Sequence, residues 1–257
     1  MIWLLLVAPG LWSQRQALTC ISWEQLLGER LRYKMEYLNL SVATLDFHLA
    51  PKNEGSNSSS FRLSINAKSS GAVSWLFAVN NRYEIDIEPL SLLPARVQKT
   101  IRQKNVAYER TITFDHQRRQ AACGDSLTWP IPDKCYDYFS MLYFLRTQPL
   151  LPGDTLQFYL DAEYRLSRVI AVVQNEPHTI RVPAGRFPAL MVKIQFLPES
   201  NISRPWKTDL LTNRLTAPGS ELAIYFSNDS YRFPLKIQYQ QTSVQTQIIL
   251  DSFHKGH

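Results

Sequence analysis

Alternation between apolar and polar residues dominates this chain and restricts its fold more than any other feature. From Leu31 to Leu49 the residues switch repeatedly between the two classes, and a period of two puts every second side chain on one face of an extended strand. The same signature returns at 61–65, 83–87, 156–160, 170–173, 190–196, 222–226, 235–239 and 244–250. Turn-forming residues bound these runs at Pro51 to Gly55, Pro152-Gly153-Asp154, Pro183-Ala184-Gly185 and Asn228-Asp229. About ten strands at such short spacing predict an all-β fold, a single curled antiparallel sheet forming a roll or open barrel, since a flat sheet of that size exposes long edges.

One segment departs from the alternation. Between Lys134 and Arg146, Phe139, Leu142, Tyr143 and Leu145 fall at helical spacing, with Asp133 placed to cap the start and Pro149 to stop the end. This predicts one short central helix that plugs or covers one side of the sheet, its ordinary role being core packing. No internal repeat or linker-like stretch divides the chain, so residues 27–250 read as one β-roll domain and 251–257 as a flexible tail.

The apolar stretch Ile2 to Trp12 has the length of an export-signal core and is too short to span a bilayer. Residues 1–17 therefore read as a signal peptide, with cleavage after Ser13 or Ala17, and no membrane span is expected after it; a buried N-terminal segment or an incorrectly chosen start codon is the alternative. The expected location is the periplasm or the cell envelope. Cys123 and Cys135 flank a turn-rich loop that can bring them together as a disulfide in an oxidising compartment, or they remain two unpaired thiols. Zinc is not expected, because neither has a second Cys or His at ligand spacing.

With 45% apolar and 19% charged residues, the chain is not disordered. It has no Gly-x-Ser-x-Gly elbow, no phosphate-cradling loop and no dinucleotide fingerprint, so no cofactor is predicted. Ser140 has no Lys or His nearby in sequence and reads as a capping or packing residue. Asp86 and Glu88 share a strand face, a pair that solvated strands carry routinely. The reading leans away from an enzyme and assigns no catalytic or metal-binding residue.

Charge is more informative. Lys and Arg outnumber Asp and Glu by 28 to 22, a net +6. Between Pro94 and Gln120, Arg96, Lys99, Arg102, Lys104, Arg110, Arg118 and Arg119 face only Glu109 and Asp115, giving +5 in that segment alone. A strand pair there presents a basic stripe able to attract lipid headgroups, lipopolysaccharide phosphates or acidic polysaccharide; alternatively it only keeps a sheet face soluble. Nucleic acid is not an expected partner, because stacking aromatics are sparse in the stripe. Aromatic residues on the strands (Trp75, Phe77, Tyr83, Phe158, Tyr159, Phe196, Tyr225 and Phe226) either fill a core or line a pocket for an acyl chain or sugar. Two functions follow: a carrier sheltering an apolar or amphipathic molecule inside the sheet, and an interaction module docking on envelope proteins through the basic stripe or a strand edge.

Four segments in order resemble one family. They are Gly28 to Tyr33; Phe139 to Arg146 followed by Pro152-Gly153-Asp154; Val182 to Ala189; and Ala223 to Ile237. Together they resemble the domain-of-unknown-function family 3108, found in exported bacterial proteins, over roughly Leu27 to Leu250. The resemblance implies a roll-like or open-barrel all-β fold, an envelope location and no established activity. Ser140, Tyr143, Arg146, Gly153, Gly185, Asp229, Arg232 and Pro234 are motif positions of unknown role, and the chain departs from the family pattern at Tyr138 and Tyr225.

Overall fold

The computed structural model describes residues 21–52, 60–69, 78–124, 127–162, 165–199, 209, 212, 221–241 and 244–256. The expected signal peptide, Trp75 and Phe77 lie outside the described residues. A short 3-10 turn at Trp23–Leu26 leads into β1 (Arg30–Tyr37), β2 (Leu40–Pro51), β3 (Phe61–Ser69), β4 (Asn80–Ile87), β5 (Pro94–Gln103), β6 (Val106–Asp115), β7 (Gln120–Cys123), β8 (Leu127–Pro130) and β9 (Cys135–Tyr136). Helix α1 (Tyr138–Thr147) follows, then β10 (Thr155–Asp161), β11 (Leu166–Val173), β12 (His178–Val182), β13 (Gly185–Pro198), β14 (Glu221–Ser227), β15 (Pro234–Gln241) and β16 (Val244–His254).

These strands form one 16-stranded sheet, ordered β8 to β1, then β16 back to β13, β11, β10 and β9, with β12 paired to β13 alone. Nearly every pairing joins chain neighbours. The exception that organises the fold is β1 against β16, which runs from Arg30 opposite His254 to Tyr37 opposite Thr246. The sheet is not closed by a backbone ladder. Its two ends, β8 and β9, are joined by residues 131–134, and across the seam the Trp129 indole N–H donates to Asp161 Oδ2 at 2.7 Å. An open roll is thus fastened by a side chain where a barrel would have a strand pair.

The alternating run from Leu31 to Leu49 conceals a hairpin. Leu38 and Asn39 make its turn with φ of 50° and 62°, the left-handed pair that matches strand twist. Tyr37 faces Leu40, which pairs an odd position with an even one and would turn opposite faces inward on the two strands. A bulge between Met35 and Glu36 shifts the register, so that Met35 faces Ala43, Tyr33 faces Leu45 and Leu31 faces Phe47. Odd residues then point into the core on both strands, and the sequence pattern passes through the turn unbroken.

Two expected boundaries are corrected. The helix begins at Tyr138 with Asp137, not Asp133, as its cap: Asp137 accepts from the Phe139 and Ser140 N–H groups at 2.9 and 3.2 Å, and Ser140 Oγ accepts the Asp137 N–H at 3.1 Å. This reciprocal box satisfies the exposed donors of the first turn, while Cys135 and Tyr136 before it are drawn into β9. Residues 251–254 are not a tail. β16 extends through His254, and Gly256 packs so closely on Leu27 that a side chain there would collide with the Leu27 carbonyl.

Helix α1 lies inside the roll. Eight of its residues, from Tyr138 to Arg146 except Phe144, are buried, as expected of a helix that is apolar nearly all round. Phe139 meets Phe47 and Tyr83 with ring centroids 5.8 and 4.9 Å apart, and Phe144 stacks on Tyr136 at 4.5 Å. Tyr83, Phe158, Phe196 and Phe226 point inward as core, whereas Tyr159 and Tyr225 are half-buried.

Candidate functional sites inside and outside the roll

Where the helix meets the N-terminal turn, Glu29 and Arg146 form a fully buried ion pair. Glu29 precedes β1, and its two carboxylate oxygens each accept an Arg146 guanidinium N–H at 2.6 Å. Tyr143 donates its hydroxyl to the same carboxylate at 3.2 Å, and Arg146 donates a further bond to the Tyr231 carbonyl at 3.1 Å. Burial alone would favour a neutral guanidinium, but Glu29 more than offsets it, so Arg146 is held charged. The Tyr33 and Tyr143 hydroxyls beside the pair are pushed up by burial and stay protonated.

Four of the motif positions, Tyr143, Arg146, Asp229 and Arg232, gather around this pair. Arg232, at φ 47°, sends its guanidinium to the Pro149 carbonyl at 2.7 Å, tying the β14–β15 loop to the end of α1. Asp229 accepts from the Tyr231 and Arg232 N–H groups at 2.9 Å each and from Ser227 at 2.8 Å, folding that loop before Pro234 opens β15. Gly153 and Gly185 serve separate turns, at φ 87° and 142°. With both charges neutralised and no water access, this group of Tyr143, Arg146, Asp229 and Arg232 fastens helix, N-terminus and loop together. Sequence reasoning passed over Glu29, although it stood in the quoted opening motif; a carboxylate beside a turn glycine looks like any solvated charge.

A second polar cluster lines the inner faces of β4 and β5. Asp209, from the β13–β14 connection, is wholly buried there. Its Oδ2 accepts from Tyr83 at 2.8 Å and Thr212 at 2.9 Å, and its Oδ1 from Gln103 at 3.2 Å and Asn81 at 3.4 Å. Lys99 is buried close by, with its ammonium 5.9 Å from the Tyr83 ring centre. Asp137 is raised above the usual carboxylate range by burial, against the pull of its capping bonds and Lys99. Among the described residues, two spaces of about 10 Å3 each lie beside Tyr138, Phe139 and Thr212, room for one water apiece. Among the described residues no three His, Cys, Asp or Glu side chains are grouped as a metal site.

The seven basic residues expected to form one stripe are split by the pleat. Arg96 and Arg102 stand on the outer face of β5, Lys104 in the β5–β6 turn, and Arg118 and Arg119 in the turn after β6. Lys99 faces inward, and so does Arg110 opposite it, whose guanidinium lies 4.7 Å from the Tyr108 ring centre. His116 contacts the Pro94 carbonyl at 2.9 Å, which brings the Arg118–Arg119 turn to the Arg96 end of β5, while Arg102 and Lys104 lie at the other end. Arg102, Lys104, Arg118 and Arg119 are exposed, and Asp115 and Asp133 sit 3.8 and 2.7 Å from Arg118 and Arg119.

Ligand-sized hollows lie outside. One cleft of about 610 Å3 runs along Lys52, Asp86, Glu88, Leu90 and Arg96. Asp86 is buried in its wall between Arg62 at 2.8 Å and Lys52 at 3.1 Å, and these two cations hold its carboxyl below the usual range against the opposing effect of burial. Glu88 lies beyond the strand and accepts from Ser91, so the two carboxylates do not act as a pair. The other groove, about 790 Å3, covers the outer faces of β11, β13, β14 and β15, floored by Ile170, Val172, Met191 and Tyr225. Cys123 and Cys135 carry free thiols in this structure. They sit on β7 and β9, toward opposite ends of the sheet order, and burial pushes the Cys135 thiol well above its ordinary value.

The fold is shared beyond this chain. A β-barrel-like protein of the unknown-function family DUF1849 from Brucella abortus matches 90% of this chain and 98% of its own, at 9% identity and a TM-score of 0.55. Weaker likenesses are to a candidate exported protein with a YmcC-like fold from Bacteroides fragilis (12% identity, TM-score 0.37, covering 93% of this chain and all of that one) and to a candidate lipoprotein from Parabacteroides distasonis (10%, 0.36, 91% and 99%). No curated protein matches the sequence. A family profile does, over residues 32–249, and the chain therefore belongs to the family of proteins of unknown function DUF3108.

Proposed function

We propose that this protein is an exported, non-enzymatic binding module of the bacterial envelope that engages its partner on the outside of the roll. The observation that carries the reading is one of volume. Among the described residues, the spaces beside α1 inside the roll measure about 10 Å3 each, too small for an acyl chain or sugar, whereas two outer hollows of about 610 and 790 Å3 are of ligand size. A carrier needs room for cargo inside the curved sheet; against it, α1, Asp209 and Thr212 occupy the described interior beside β4 and β5. Anionic envelope molecules suit the outer surface, where Arg96, Arg102, Lys104, Arg118 and Arg119 stand on β5 and its neighbouring turns. Export rests on the apolar run at Ile2 to Trp12.

Charge reversal tests the reading. Arg96→Glu, Arg102→Glu and Arg118→Glu together should abolish capture of lipopolysaccharide or acidic-polysaccharide beads at low salt while leaving the melting temperature unchanged. Undiminished capture by the folded variant would defeat the assignment of the basic surface.

A further inference from the structure

The four bonds to Asp209 are arranged in a way that a mere packing contact does not require. We infer that the inner walls of β4 and β5 form a carboxylate-binding site, and that the chain occupies it with its own Asp209. Each oxygen of Asp209 accepts two donors, Gln103 and Asn81 on Oδ1, Tyr83 and Thr212 on Oδ2. That is the acceptor pattern of an ionised carboxylate, with two lone pairs on each of two oxygens. Three of the four donors belong to the sheet and are set independently of the guest. The Asn81 amide is oriented because its carbonyl oxygen accepts the Arg102 N–H at 3.1 Å, which turns its NH2 group toward Tyr83 Oη and Asp209. Tyr83 is fixed by its ring contact with Phe139, and its hydroxyl is kept protonated chiefly by burial and then by the charge of Asp209. Lys99 supplies a nearby positive charge in the same buried layer.

The ligand class follows from shape. The four described donors, two to each oxygen, suit a planar group on a slim stem, as an Asp side chain is. A phosphate or sulfate would carry further oxygens and charge toward a layer that also holds the Asp137 and Asp161 carboxyl groups, with Lys99 as its cation. A small monocarboxylate therefore fits once Asp209 is gone, and in the native chain it must displace Asp209 first. This inference is independent of the outer-surface reading.

The test is chemical rescue in the full chain. Asp209→Ala, titrated with formate or acetate against chloride at equal ionic strength, should bind the carboxylate at least about tenfold more tightly than the native protein, given the strength of bonds to a charged acceptor. Its melting temperature should rise with formate, and adding Tyr83→Phe should weaken that response. A folded Asp209→Ala protein that responds to formate no more than to chloride overturns the inference. If the variant does not fold alone, formate present during refolding should restore its near-ultraviolet circular dichroism, and failure to do so overturns it equally.

Discussion

Replacing Glu29 by Gln should be among the most damaging conservative changes possible in this protein. The side chain keeps its shape, but one carboxylate oxygen becomes an NH2 group pointed at a guanidinium, where two 2.6 Å bonds existed. Side-chain exposure is 0% for Arg146 and 1% for Glu29, so water cannot substitute for the lost acceptor. Removing one partner of a buried pair typically costs about 3–5 kcal/mol, because the remaining charge is left uncompensated. For a chain of this size that corresponds to a melting temperature lowered by roughly 6–20 °C. The double variant Glu29→Met with Arg146→Met should recover most of the loss, since removing both charges removes their desolvation as well. Recovery will be incomplete, because the Tyr231 carbonyl and Tyr143 hydroxyl lose a partner, at about 1 kcal/mol each. Urea unfolding of the native protein and these two variants decides the matter. A Glu29→Gln cost below about 1 kcal/mol, or a double variant weaker than the single, would refute the view that this pair fastens helix to strand.

Three further outcomes are expected. Asp86 and Asp137 should act oppositely on the pH dependence of stability. The folded-state value of Asp86 lies below 3.8, so its contribution is present above the unfolded value and lost as pH falls through the folded one; that of Asp137 lies above 3.8, so its penalty at neutral pH is relieved on acidification through the folded value. Denaturant midpoints of Asp86→Asn should therefore converge with the native protein in acid, while Asp137→Asn, which keeps a cap, should lose ground to it as pH falls from neutral toward 4. Trp129→Phe removes the indole donor to Asp161 across the seam and should cost about 1–3 kcal/mol, with faster amide exchange in β8 than in β3. Under native conditions an alkylating reagent should label Cys123, which is half-buried, well before Cys135, which should react only on unfolding.

The sheet was legible because its faces are so different. Eight alternating runs correspond to β3, β4, β10, β11, β13, β14, β15 and β16, and the ninth to β1 and β2 together. The β1–β2 turn was not legible, since the bulge at Met35–Glu36 restored parity and left the alternation intact. Short strands such as β7, β8 and β9 have too few residues to show a period. The helix was found by its spacing, yet its start was misplaced by choosing Asp133 over Asp137, two acids equally able to cap; only the reciprocal bond with Ser140 distinguishes them. Site chemistry was harder to read. Lys99 and Arg102 look alike in a list of charges, and only the pleat sends one inward and the other out. Asp209 lay in a stretch without periodicity, and its partners Asn81, Tyr83 and Gln103 come from strands more than a hundred residues earlier, a convergence that no local pattern announces.

Native mass spectrometry of the protein purified gently from the cells that express it tests the packed interior most directly. The protein should fly without a small-molecule adduct, or with one that is lost in the Arg96→Glu, Arg102→Glu, Arg118→Glu variant. A one-to-one lipid adduct retained by that variant would contradict an interior filled by the chain itself.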